Sequence, residues 1–139
     1  MDESGRRAWV LPMVIVAVAY AVIGIVFAVL DDSPDPNRVH RWRLAAWVAS
    51  AVVAAAHLGY ERFRLGNSPR PTALHAAAAV ALGAFGLAVA ANIHELGFAT
   101  GYRPRMLIAL VAWPLVTAVP AFVAALTVAA VLGVKRRGV

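Results

Sequence analysis

The sequence predicts an all-α integral membrane protein, a four-helix up-down bundle made of four transmembrane helices. Two observations carry this. Four long apolar runs take up most of the 139 residues, at about 9–30, 42–62, 72–95 and 106–134, and every Arg or Lys lies near their ends or between them. Each run approaches or exceeds the ~20 residues that a helix rising ~1.5 Å per residue needs to cross ~30 Å of hydrocarbon. The chain is 62% hydrophobic and 14% charged, which leaves no stretch for a soluble domain beside the membrane part. A single transmembrane domain over 1–139 follows.

The first run follows Arg6 and Arg7 and so has the outline of a secretory leader. It continues for about 22 residues, beyond the 7 to 15 of a leader core, and meets Asp31 and Asp32 instead of a small-residue cleavage site. It is read as a retained first helix. Val14, Ile15, Val16, Val18, Val22, Ile23, Ile25, Val26 and Phe27 cover much of its circumference, so it is expected at the periphery, against lipid or a partner.

In Asp32-Ser33-Pro34-Asp35-Pro36 the prolines end the first helix, and Asp35 is placed to cap a second one opening at Pro36. That helix should run to about Arg64, with Trp42 and Trp47 at headgroup depth. Gly66 to Pro71 makes a tight break, and Thr72 can cap the third helix. Gly97 to Pro104 closes the last hairpin. Short connections predict that sequential helices are neighbours. Without a hydrophobic drive in lipid, packing should use small residues. The i+4 ladders are Ala51, Ala55 and Gly59, then Ala73, Ala77 and Ala81, then Ala121, Ala125, Ala129 and Gly133. Pro114 and Pro120 predict a kink or opened turn in the fourth helix, with Thr117 as a supporting donor.

Four spans place both termini and the central loop on one side, with eight basic residues: Arg6, Arg7, Arg62, Arg64, Arg70, Lys135, Arg136 and Arg137. Five face the other side: Arg38, Arg41, Arg43, Arg103 and Arg105. The asymmetry predicts cytoplasmic N- and C-termini in a plasma (inner) membrane. The Ala- and Arg-rich composition points to a GC-rich bacterium. A net charge of +6 gathered at span ends speaks for anionic lipid rather than nucleic acid as partner.

With no cysteine in the chain, disulfides, thiolate nucleophiles, iron–sulfur ligation and Cys-based zinc sites are excluded. No Asp, Glu, Lys or Arg falls at mid-membrane, which weighs against a carrier built on a central carboxylate. No catalytic residue is proposed. Candidate ligand-binding residues form two clusters. His57 stands one turn before Glu61, beside Arg62, and His75 opens the third helix on that side. The pair His57 and His75 is the candidate for haem or metal ligation, since two imidazoles on antiparallel helices are what axial ligation requires. His40 and His94 form the corresponding outer pair, but about 26–28 Å of helix rise puts all four rings near the membrane edges. Asn92, His94 and Glu95, facing Arg103 and Arg105, form the second cluster, a salt-bridged hairpin or, with Arg41 and Arg43, a shallow site for a lipid headgroup or other anion.

The first functional expectation is a non-enzymatic protein acting through helix–helix contacts, as a homo-oligomer or as accessory subunit of a membrane complex. Two alternatives stand beside it. One is a ligand-binding or redox protein holding haem, metal or lipid near His57, Glu61 and His75, and the other is a small-solute transporter using the Pro114 to Pro120 kink.

Overall fold

The computed structural model describes the backbone of residues 3–31, 34–98 and 105–135, and the side chains of 9–30, 34–94 and 107–132. Among these residues there are four α-helices: α1 Glu3–Asp31, α2 Pro36–Gly59, α3 Pro69–Phe98 and α4 Arg105–Lys135. A π-helical turn over Tyr60–Arg64 prolongs α2. Apolar spans at Trp9–Leu30, Pro36–Arg64, Pro69–His94 and Leu107–Leu132 are each long enough to cross a membrane. The protein is an all-α bundle of four membrane-spanning helices.

Local chemistry sets the helix ends. Asp35 caps α2, its side chain accepting from the Asn37 amide at 2.9 Å while its carbonyl accepts from Arg38 and Val39 at 3.1 Å. The other end widens before it stops. Leu65 N–H donates to the Tyr60 carbonyl at 3.2 Å, and Asn67 N–H donates to the Glu61 carbonyl at 3.1 Å. This last bond is one residue wider than the usual closure around a left-handed glycine, as the π turn requires. Gly66 supplies the left-handed residue, at φ +66°. Gly66→Ala is expected to cost about 1 kcal/mol, because a Cβ there meets open space but strains the backbone. A denaturation midpoint equal to wild type would refute that.

α3 begins at Pro69, earlier than a Thr72 cap would place it. Thr72 lies in its first turn, with its amide bonded to the Ser68 carbonyl at 3.2 Å and its hydroxyl buried.

The helices alternate in direction along the chain, but their spatial order is α2, α1, α3, α4. α3 packs along α4 on one side and α1 on the other, and α2 packs mainly along α1. α1 and α3 run parallel and in step: Trp9 meets His75, Ala17 and Tyr20 meet Gly83, Ala21 meets Gly86, and Gly24 meets Leu87. α1 therefore does not stand at the end of the row as expected, although most of its apolar surface remains exposed. Its Ala17, Ala21 and Gly24 form a thin stripe one to two turns apart that admits α3, while Val14, Ile15, Val18, Val22, Ile25 and Val26 face outward.

α3 is central because it has two small-residue faces. Ala79, Gly83 and Gly86 share the α1 side; Ala73, Ala77, Ala84 and Ala88 lie roughly 140° further round the helix. Ala73 packs with Leu58 and Ala125, beside Ala76, Phe122 and Leu126. The α3 and α4 ladders are thus buried at Ala73, Ala77, Ala125 and Ala129. The α2 ladder is not: Ala51 and Ala55 are exposed and Gly59 is half-buried, since α1 rather than α3 lies beside this helix.

The two prolines do not interrupt α4, which is helical throughout Arg105–Lys135. The Thr117 hydroxyl donates to the Trp113 and Pro114 carbonyls at 2.9 and 3.1 Å. These bonds supplement the amide bonds of that turn; the carbonyls that the prolines leave without an amide donor are those of Leu110 and Val116.

A buried carboxylate at the membrane edge

The α2 to α3 hairpin carries the densest polar chemistry among the described residues. Glu61 lies in the π turn and is fully buried, at 0% exposure. Burying a carboxylate without partners at membrane depth costs several kcal/mol, so its surroundings are the first question. Three residues answer it. His75 Nδ1 stands 3.1 Å from both Glu61 oxygens. The Asn67 amide nitrogen donates to Glu61 Oε2, and the Arg62 guanidinium donates to the Asn67 backbone carbonyl. With Glu61 ionised, the His75 proton sits on Nδ1, where it donates to the carboxylate.

α1 closes the centre from above. The Trp9 ring lies flat on His75, with centroids 4.4 Å apart and planes 2° from parallel. One contact chain therefore joins α1, α3, the π turn and the connecting loop. It operates where α2 and α3, otherwise barely in touch, come together.

His57 adds a different feature. It sits one turn before Glu61, is only 4% exposed, and neither ring nitrogen has a hydrogen-bond partner. The Thr72 hydroxyl and Arg62 Nε are likewise buried without a partner. Such groups are rare in native interiors and point to something that satisfies them. Among the described residues, no three His, Asp or Glu side chains converge as a metal-binding group.

The structure thus brings Glu61, Arg62 and His75 into one network and sets His57 beside it. Of the second cluster, the side chains of Asn92 and His94 are among the described residues. Asn92 is buried and its side chain donates to the Ala88 carbonyl of its own helix at 2.9 Å. His94 is exposed on the last turns of α3. The side chains of Glu95, Arg103 and Arg105 lie outside the described residues. Sequence reasoning missed Asn67 and Trp9 as members of the centre. The signal for Asn67 was its place after the left-handed Gly66, where the amide can turn back over the helix end; for Trp9 it was only that it opens the first apolar run.

No family model, curated protein or solved structure matches this chain.

Proposed function

We propose that this protein acts through helix–helix contacts in the membrane, as a homo-oligomer or as accessory subunit of a larger complex, with α2 as the docking helix and the Glu61 centre as the latch that holds it in place. The supporting observation is the outward α2 ladder. Ala51 and Ala55 stand exposed beside Val48 and Val52, and Trp47 is 76% exposed. A helix that packs along only one neighbour retains a face where a second backbone can approach closely. The reading includes a bacterial plasma membrane with both termini in the cytoplasm and no catalytic role.

The chain contains no cysteine, so single-cysteine cross-linking is clean. Ala51→Cys or Ala55→Cys, oxidised in native membranes, is expected to give a dimer or a heavier adduct of one defined mass. Val29→Cys and Val131→Cys, also at exposed positions, on α1 and α4, should give none. Equal cross-linking at all four positions, or at none, would sink this reading.

One observation favours a second reading, in which the centre holds a small hydrogen-bonding guest: the unpartnered nitrogens of His57 beside the unpartnered Thr72 hydroxyl. Replacing an unbonded buried imidazole by an apolar side chain should be neutral or stabilising. If a guest is held there, His57→Leu instead costs about 2 kcal/mol or more and Thr72→Val adds little to it, because both lose the same partner. An absorption band near that of haem, lost in His57→Leu, would identify one such guest directly.

A further inference from the structure

The end of the bundle opposite the Glu61 centre holds a groove. Arg38, Arg41, Trp42 and Ala45 line a cavity of about 440 Å³. Their spacing of i, i+3, i+4 and i+7 makes them one stripe of α2, running from the first solvated turn into the apolar span. Arg38 and Arg41 are exposed at the top, whereas Trp42 and Ala45 are half-buried below them. Phe27 of α1 leans against Trp42, with ring centroids 6.0 Å apart at 57°. The groove is therefore cationic where headgroups lie and apolar and aromatic beneath, in the order in which an amphiphile presents its phosphate and its chain.

Charge favours an anionic occupant. The Asp35 side chain already caps the N-terminus of α2, so the attraction for an anion comes from the Arg38 and Arg41 guanidiniums rather than from the helix dipole. The Asn37 carbonyl accepts from Arg41 Nε at 3.3 Å, which anchors one edge of that guanidinium and leaves its terminal amino groups for a phosphate. A free inorganic anion would use the upper half of the groove only. A phospholipid uses both halves.

We propose that this groove binds one anionic phospholipid, its phosphodiester held by Arg38 and Arg41 and its upper acyl chain laid along Trp42 and Ala45. The sequence had suggested Arg41, Arg43, Arg103 and Arg105 for an anion; among the described residues Arg38 and Arg41 are the cations that line the cavity, and the side chains of Arg103 and Arg105 lie outside those residues.

The test is native mass spectrometry of the intact protein released from bilayers containing equal phosphatidylglycerol and phosphatidylcholine. Wild type is expected to retain one phosphatidylglycerol in preference. The double variant R38Q/R41Q should lose about fivefold of that preference per arginine, about 25-fold in all, from ~1 kcal/mol for each cation near the headgroup plane. R38K/R41K, which keeps the charge, should retain a clear preference. R64Q/R70Q, removing the same charge from exposed arginines at the opposite surface, should leave it unchanged. Undiminished retention by R38Q/R41Q, an equal loss in R64Q/R70Q, or displacement of the lipid by excess inorganic phosphate would each overturn the proposal. Circular dichroism of every variant verifies that the helices are intact.

Discussion

Glu61→Ala is expected to lower stability by about 3 kcal/mol, the sum of lost hydrogen bonds and lost packing at a fully buried side chain. The loss has two parts. His75 Nδ1 and the Asn67 amide lose their acceptor, and each donor, being only half-buried, costs about 1 kcal/mol when left without one. The packing of a fully buried side chain is also removed. Glu61→Gln keeps the volume and one acceptor oxygen, so about half that loss is expected. Unfolding in a graded denaturant–detergent mixture measures both. The side chain should also matter at a distance: when His75 is no longer held, Trp9 loses its stacking partner, so Trp9 emission in a variant lacking Trp42, Trp47 and Trp113 should change with Glu61→Ala. An unmoved unfolding midpoint together with unchanged emission would show that the network holds nothing together.

The second large effect is expected at Gly83. A Cβ added there would stand 2.7 Å from the Tyr20 Cβ and 2.9 Å from the Ala17 carbonyl oxygen. Neither atom can swing aside, since one is backbone and the other is fixed by it. Gly83→Ala should therefore push α1 and α3 apart and cost about 1–3 kcal/mol despite the better helix propensity of alanine, and Gly83→Val should cost more. The neighbouring glycines calibrate this expectation. A Cβ at Gly86 would meet the Ala21 Cβ at 3.4 Å, and one at Gly59 only the Phe63 side chain at 3.9 Å. Gly59→Ala should be neutral or gain up to about 1 kcal/mol, with Gly86→Ala close behind. Equal midpoints for Gly83→Ala and Gly59→Ala would show that α1 and α3 are not in close contact at Gly83.

The two experiments probe different halves of one interface. Gly83 measures how closely α1 can lie on α3 within the membrane, and Glu61 measures what joins both helices to α2 at its edge. If α2 is the docking helix, loss of the latch should also weaken cross-linking through Ala55→Cys, which sits one to two turns from Glu61.

Residue runs and turn chemistry made much of this molecule legible in advance. Apolar length defined four spans because a helix must cover the hydrocarbon thickness whatever it packs against. Asp35 with Pro36, and Gly66 with its neighbours, marked the breaks because capping and positive φ are properties of one or two residues. The proximity of His57, Glu61 and His75 could be anticipated because a short hairpin brings the end of one helix to the start of the next. Two things depended on tertiary structure. Small residues occur on every helix, so composition could not say which ladders would be used; only the shapes of whole faces decided that Ala17, Ala21 and Gly24 of α1 enter the bundle while Ala51 and Ala55 of α2 remain outside it. The environment of Glu61 was also invisible, because its burial depends on a π turn that carries Asn67 back over the carboxylate and on a ring from α1, distant in sequence, lying on His75. Local chemistry is encoded in adjacent residues, whereas partner choice among similar apolar surfaces is settled by how they fit.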